Sequence, residues 1–334
     1  MKLFERIYLL GYSIKKRRTL KKQKKLPHNV ISIGNMTFGG TGKTPATISV
    51  AMEAQKRGFL PCVLTRGYKG EATETCLLSA GEGPLMDVIL AGDEAFLMAG
   101  KLRGIPIVKG KNRYEAGMVA LASRDLKQQP DLFILDDGFQ HWGLARDKDV
   151  ILVDSTDPLQ EQSLPPAGRL REPLSELRRA DIILITRSDE CEPESLKKTQ
   201  KELRIYNEKA PVFFARHRPL GFRQNNGELL PVSWAQRKKI FAFCGIGNPR
   251  SFTNILQSLQ AHVVGVKEFR DHHRFSKSDI RNITAEAKKS GADWLVTTEK
   301  DIMKLSEPDV PDKLLALSIE FDVDEGFYDE VFRL

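Results

Sequence analysis

Asn29-Val30-Ile31-Ser32-Ile33-Gly34-Asn35-Met36-Thr37-Phe38-Gly39-Gly40-Thr41-Gly42-Lys43-Thr44-Pro45 is the stretch that decides the fold. An apolar run ends in glycine, a Gly/Thr-rich loop follows, and residues 45–52 then read as a helix. Residues 37–44 fit the phosphate-loop pattern G-x-x-x-x-G-K-[ST], except that Thr37 stands at the first glycine. Gly39 and Gly40 keep the loop glycine-rich. Glycines let backbone N–H groups wrap a phosphate, and the following helix N-terminus adds a favourable dipole. Lys43 is suited to the β/γ-phosphates and the Thr44 hydroxyl to Mg²⁺. Thr37, Gly39, Gly40, Thr41, Gly42, Lys43 and Thr44 are therefore the expected nucleotide-binding residues.

Further along, Asp131-Leu132-Phe133-Ile134-Leu135-Asp136-Asp137 is an apolar strand ending in two acids. Carboxylates at the carboxyl end of a strand lie where an α/β sheet binds its ligand, and such a pair needs a cation. Asp136 and Asp137 are thus candidate Mg²⁺ ligands. Other apolar runs at 60–64, 106–108, 150–153 and 182–185 alternate with helical stretches, the pattern of a parallel sheet covered by helices. Residues 212–232 differ: two apolar runs flank Asn225-Asn226-Gly227, a hairpin signal. A new strand at 240–243, the turn Gly245-Ile246-Gly247-Asn248-Pro249 and a strand at 294–297 begin a second α/β unit. The expected architecture is an α/β protein: a P-loop NTPase parallel-sheet domain (26–210) and a second, smaller α/β domain (211–334), joined through a β-ribbon at 211–232. The last part of the chain is free to return to the first domain.

The 334 residues carry 52 basic and 44 acidic side chains, a net charge of +8. Ten of the bases and only one acid fall within residues 1–25, so this segment is +9 and the rest is −1. A nearly neutral body excludes a general nucleic-acid surface. Leu3, Ile7, Leu10 and Ile14, with Phe4 and Tyr8 beside them, make an apolar stripe on a short helix, and the basic run follows directly. Glu5 and Arg6 interrupt the apolar stretch, and no cleavage site follows, so it does not read as a signal peptide. No run is long and apolar enough to span a bilayer. The segment reads as an interfacial helix meeting an anionic membrane surface; a solvated helix packed on the body with a disordered basic linker, and a nucleic-acid arm, are the alternatives. The four cysteines are scattered and form no disulfide framework or zinc pattern.

Residues 34–45 resemble the phosphate loop of the tetraacyldisaccharide 4′-kinase family, the lipid A kinases of Gram-negative bacteria, which share the threonine at the first loop position. Thr65-Arg66-Gly67-Tyr68, Gly92-Asp93-Glu94, Leu135-Asp136-Asp137-Gly138-Phe139-Gln140-His141 and Leu170-Arg171-Glu172-Pro173-Leu174 resemble the same family. So do Gly245-Ile246-Gly247-Asn248-Pro249, Phe269-Arg270-Asp271-His272-His273 and Thr298-Glu299-Lys300-Asp301, in order over nearly the whole chain. The resemblance implies transfer of the ATP γ-phosphate to the 4′-hydroxyl of tetraacyldisaccharide 1-phosphate, with Mg²⁺. It implies an acylated disaccharide lipid substrate, peripheral attachment at the cytoplasmic face of the bacterial inner membrane, and no nucleic-acid or obligate protein partner.

It also implies roles. Lys43, Asp93 and His272 are the catalytic set, with Asp93 assisting deprotonation of the sugar hydroxyl and His272 pairing with its carboxylate. Thr44, Asp136, Asp137 and Glu94 serve the metal. Ala95 and Arg169 depart from the usual family pattern. Arg66, Arg113 and Arg171 are candidate phosphate or substrate contacts. Two alternatives compete: a GTPase, since Thr186-Arg187-Ser188-Asp189 echoes the guanine-reading [NT]-K-x-D signature with arginine for lysine, and a non-enzymatic membrane module using the loop as a switch.

Overall fold

The structure, a computed structural model, describes residues 3–157, 159, 162–224, 226–305 and 311–334, with side chains from Glu5 onward. The side chains of Leu3 and Phe4, part of the expected stripe, and Asn225 of the expected turn lie outside the described residues. Two compact units emerge: residues 1–216 with 321–334, and residues 217–320. The division differs from the expected 26–210 and 211–334. The N-terminal segment belongs to the first unit, and the last fourteen residues return to it.

The first unit runs α1 (Leu3–Leu20), β1 (Asn29–Asn35), α2 (Lys43–Lys56), β2 (Pro61–Thr65), β3 (Cys76–Ser79), α3 (Val88–Ala91), α4 (Asp93–Lys101) and β4 (Ile107–Lys109). It continues with α5 (Arg113–Ala122), β5 (Leu132–Asp136), β6 (Lys148–Asp154), β7 (Ile182–Thr186), α6 (Pro193–Tyr206) and the start of β8 (Val212–Arg223). Its strand order is β8-β7-β6-β1-β5-β2-β4-β3, parallel except for the edge strand β3. Strand β5 inserts between β1 and β2, and Ile33 pairs with Asp136. The phosphate loop and the acid pair therefore share one end of two adjacent strands.

Both faces of this sheet are covered, which is why its strands read as continuous apolar runs. Ile31, Ile33 and Ile134 face α2 and α4, while Val30, Phe133 and Leu135 face α5. Further along the sheet, Ile151, Val153, Ile183 and Ile185 pack with Leu203 of α6 and with Tyr8 and Leu9 of α1. Helix α1 is longer than expected: it continues through Lys15, Lys16, Arg17 and Arg18, because Lys and Arg are good helix formers and Lys16 finds an acid, Glu176.

The second unit takes up β8 at His217 and contains β9 (Leu229–Leu230), β10 (Lys239–Cys244), α7 (Pro249–Ser258), β11 (His262–Glu268), α8 (Lys277–Lys289), β12 (Trp294–Thr298), α9 (Glu299–Ile302) and most of β13 (Leu314–Val323). The hairpin is present as an antiparallel pair, Phe222 with Leu230 and Arg223 with Leu229. The parallel order is β11-β10-β12-β13. Along β10, Ile240, Ala242 and Cys244 pack towards α7, and Phe241 and Phe243 towards α8. A capping box of Ser276 and Asp279 starts α8. The chain leaves the first unit along β8, returns along β13, and ends with α10 (Phe327–Val331) in the core of the first unit. Strands β3, β11 and β13 were not expected from the sequence. The first is a short edge, and the second is a half-exposed edge strand with no clear alternation.

Candidate active site

The carboxyl ends of β1 and β5 set the frame. Gly34, at the end of β1, has no room for a side chain: a Cβ there would lie 2.7 Å from the backbone nitrogen of Phe139. This close approach brings the turn after Asp136-Asp137 against the start of the phosphate loop. Gly42 adopts a left-handed conformation (φ 86°) as the N-cap of α2, which turns the loop into the helix. Lys43 and Thr44 then occupy the first turn of a 14-residue helix.

The loop backbone is fastened from outside. Phe38 donates its N–H to the Arg169 carbonyl at 2.8 Å, and Arg171 donates its own to the Met36 carbonyl at 2.7 Å. Arg187 Nη2 donates to the Gly40 carbonyl at 2.8 Å, and Thr186 Oγ1 donates to the Thr41 carbonyl at 3.1 Å. These bonds occupy the carbonyls of Met36, Gly40 and Thr41 and fix the path of the loop. Arg187 is buried, left-handed (φ 54°) and paired with Asp154 at the end of β6. A side chain so engaged is a brace for the phosphate loop and not a cover for a guanine base. The echo of a GTPase signature is therefore structural.

Four of the expected residues converge here. Lys43 Nζ is 3.8 Å from Asp137 Oδ1 and 3.3 Å from the Gly39 carbonyl. Burial lowers its pKa, opposed by the Asp137 charge. Asp136 is buried and accepts from Thr65 Oγ1 at 2.9 Å and Thr47 Oγ1 at 3.4 Å. Burial, reinforced by the neighbouring Asp137, pushes its carboxyl up to about 6. Burial also acts against ionised Asp137, but the Lys43 and Arg171 charges outweigh it and hold that carboxyl below the usual range. Glu94, in the first turn of α4, is close enough for its charge to act on both Lys43 and Asp136.

The acid pair is gripped by residues that the sequence marked only loosely. Arg171 Nη1 reaches both Asp137 oxygens at 2.8 Å and Gln140 Oε1 at 3.1 Å. Arg113 is buried at the start of α5; its Nη1 donates to the Gly110 carbonyl at 2.8 Å and its Nη2 to the Asp136 carbonyl at 3.5 Å. Burial brings it down to about 10, opposed by Asp136 and Asp137. His141 is held neutral, its pKa lowered to about 4 by burial and by Arg113. Arg66 is exposed at the end of β2, and Arg169 pairs with Asp157 at 2.5 Å. Lys109 is buried, donates to the Leu90 carbonyl and supports the turn before α4. Nothing in its local sequence announced that role, since Ile-Val-Lys reads as an ordinary strand end.

Asp93 opens α4 in the first unit, after Gly92 at φ 89°. His272 belongs to the second unit. There it is left-handed (φ 64°), donates its N–H to the Gly245 carbonyl at 3.1 Å, and lies 3.5 Å from Lys300 Nζ and 3.7 Å from Asp271. Its neighbour His273 points elsewhere, to Asp279 at 3.1 Å and onto the Phe269 ring.

The residues fit a divalent cation shared with phosphates. Asp136 and Asp137 supply two adjacent carboxylates and Thr44 a hydroxyl in the first turn of α2, oxygen donors of the kind that Mg²⁺ takes.

Comparison with known proteins agrees. The Tetraacyldisaccharide-1-P 4′-kinase family model matches residues 1–333. The tetraacyldisaccharide 4′-kinase of Halothermothrix orenii is 37% identical over 325 residues, covering 93% of this chain and 83% of its own. That of Desulfotalea psychrophila is 38% identical over 290 residues, covering 86% and 82%. A crystal structure of LpxK from Aquifex aeolicus in complex with ATP superposes with a TM-score of 0.76 at 30% identity, covering 99% of this chain and 96% of that one. With the phosphate loop, the acid pair and the match over its whole length, the chain belongs to the tetraacyldisaccharide-1-P 4′-kinase family.

Proposed function

We infer that this protein transfers the γ-phosphate of ATP to the 4′-hydroxyl of tetraacyldisaccharide 1-phosphate, giving the bis-phosphorylated lipid A precursor. The observation that carries this reading is the Lys43–Asp137–Asp136 constellation at the mouth of an intact phosphate loop, in a chain of this family.

Each residue then has a physical task. The amides from Gly39 to Thr44, with Gly39, Gly40, Thr41 and Gly42 supplying room, cradle the phosphates. Lys43 meets the β/γ oxygens, and leaving its Asp137 contact for a phosphate exchanges one anion for another. Thr44 with Asp136 and Asp137 would hold Mg²⁺, supported by the Glu94 charge; bound there, Mg²⁺ neutralises phosphate charge. Asp93 accepts the proton of the sugar hydroxyl, which frees that oxygen to bond to the γ-phosphorus as the bond to the ADP oxygen breaks. His272 pairs with the Asp93 carboxylate and orients it.

The lipid acceptor requires work at a membrane surface. Ile7, Leu10 and Ile14 are 59%, 64% and 44% exposed on one face of α1, and Arg6, Lys15, Arg17, Arg18, Lys21, Lys22, Lys24 and Lys25 are exposed around and beyond them. Such a helix lies in the boundary of an anionic leaflet, held by apolar contact and by the bases. The protein is accordingly peripheral on the cytoplasmic face of the inner membrane. Among the described residues no helix is long and apolar enough to cross a membrane.

The test is a transfer assay with γ-labelled ATP, Mg²⁺ and tetraacyldisaccharide 1-phosphate in mixed micelles, with Lys43→Ala beside it. Label entering the lipid, and lost in the variant, is expected. Label released only as free phosphate would replace this reading with an ATPase.

A further inference from the structure

Helix α1 has two faces, and the inner one reaches the metal-binding acids. Tyr8, Tyr12 and Lys16 are spaced by four residues and so share one side of the helix. Tyr8 Oη donates to the Arg171 carbonyl at 2.8 Å, Tyr12 Oη donates to Glu172 Oε2 at 2.7 Å, and Lys16 pairs with Glu176. The Tyr12 ring also packs edge-on against Trp142, with centroids 5.2 Å apart. Ile7, Leu10 and Ile14 stay exposed.

Glu172 is fully buried. Its Oε1 accepts from Gln140 Nε2 at 2.6 Å, and its Oε2 accepts from Arg179 Nη2 at 2.6 Å as well as from Tyr12. Gln140 Nε2 also donates to the Asn35 carbonyl at 2.9 Å, where β1 enters the phosphate loop. The amide oxygen of Gln140 accepts from Arg171 Nη1 at 3.1 Å, and the same nitrogen grips Asp137. An unbroken line of side chains thus runs from Tyr12 through Glu172, Gln140 and Arg171 to Asp137. A buried carboxylate is sensitive to the loss of any donor, and each member of such a network constrains the next.

We propose that α1 is a positioning element of the phosphoryl-transfer site: the Tyr12–Glu172 junction fixes Gln140 and Arg171, and through them the place of Asp137. The helix that meets the lipid surface on one face thereby sets the metal-binding acid with the other. Both halves of this statement rest on the lipid-kinase reading above. Tyr12, Glu172 and Gln140 are positioning residues, since none of them needs to touch substrate. Removing α1 costs catalysis even where membrane attachment is irrelevant, and the two losses are separable by residue.

The experiment uses the full-length protein with lipid substrate in detergent mixed micelles, and sedimentation with anionic phospholipid vesicles. Tyr12→Phe removes one hydroxyl and keeps the ring on Trp142. It is expected to lower kcat about tenfold and to raise the Mg²⁺ concentration for half-maximal rate several-fold, with lipid KM and vesicle binding unchanged. Glu172→Gln keeps the shape and is expected to fall between wild type and Glu172→Ala. Ile7→Ser with Leu10→Ser is expected to lose vesicle binding while the Mg²⁺ concentration for half-maximal rate stays at the wild-type value. Wild-type kcat and Mg²⁺ requirement in Tyr12→Phe would overturn the inference, and this variant decides it even if the Glu172 changes prevent folding. So would a loss in Tyr12→Phe that appears only together with lost vesicle binding. Failure of the wild type itself to phosphorylate lipid would instead overturn the functional reading.

Discussion

Arg187 donates to the carbonyl oxygen of Gly40 at 2.8 Å, from a position 147 residues further along the chain. The guanidinium is buried against Asp154, so the contact comes from a fixed group and not from a mobile surface arginine. Together with Thr186 on the Thr41 carbonyl, it sets the curvature of the loop that receives the nucleotide. Arg187→Gln is therefore expected to raise KM for ATP about tenfold while lipid KM is unchanged. The ATP-to-GTP preference of the variant should equal that of the wild type. A preference that shifted with the substitution would return Arg187 to the role of base reader.

Lys43 stands between Asp137 and the loop carbonyl of Gly39, ready to exchange these for phosphate oxygens. Lys43→Ala should lower kcat on the order of 10²–10³, as for removal of a preorganised charge at a reacting centre. Vesicle binding should be untouched, because Lys43 is far from α1 in sequence and makes no contact with it in the hydrogen bonds and ion pairs described for this residue.

Asp136 makes a pH prediction. Its folded-state pKa of about 6 exceeds the unfolded value near 3.8, so between those limits the folded chain holds a proton that the unfolded chain has lost. From this group, stability of the metal-free protein falls as pH rises from about 4 to about 6 and then levels off. Mg²⁺ needs the ionised form, so the Mg²⁺ concentration for half-maximal rate should climb as pH drops below about 6. Asp136→Asn should abolish turnover and raise the melting temperature of the metal-free protein at pH 8. Thermal melts with and without Mg²⁺ check both; a variant less stable than wild type at pH 8 would contradict the assignment.

Removing residues 1–25 should weaken both vesicle retention and turnover, whereas replacing Lys15, Arg17, Arg18, Lys21 and Lys22 by Gln should weaken retention alone. Each basic residue contributes about 1 kcal/mol at an anionic surface, and added salt should release the wild type progressively. Salt-independent retention of the truncated chain would show that attachment lies elsewhere.

Asp93→Ala and His272→Ala should each lower kcat/KM sharply, and the double variant should be hardly worse than the more damaged single one. Residues acting as one unit behave in this way, while independent contributions multiply. A multiplicative double variant would separate the two residues.

Much of this was legible in the chain. The strand–loop–helix at 29–56 and the apolar strand before Asp136-Asp137 carry local signals: continuous apolar runs for a sheet buried on both faces, and glycines where the backbone must turn tightly. The hairpin at Asn226-Gly227 was readable for the same reason. Strand β11 was not, because it is a half-exposed edge strand with a glycine at its centre, and β13 opens on Leu-Leu-Ala-Leu, residues that suit a helix as well as a strand. The apolar stripe of α1 was visible, but its inner face was not. Tyr8, Tyr12 and Lys16 have meaning only once residues 171–176 lie against them.

The nucleotide-binding loop, the acid pair and the basic, amphipathic start are legible in the chain, because each is a property of adjacent residues. What holds them in place depends on contacts between distant residues. Arg187 under Gly40, Arg171 on Asp137 and Glu172 beneath Tyr12 join residues from 34 to 160 positions apart. Such pairs are set by which strand ends lie side by side: β1 beside β5, and β6 beside β7. Strand order arises from packing the whole sheet between its helices, and no local pattern of residue types encodes it.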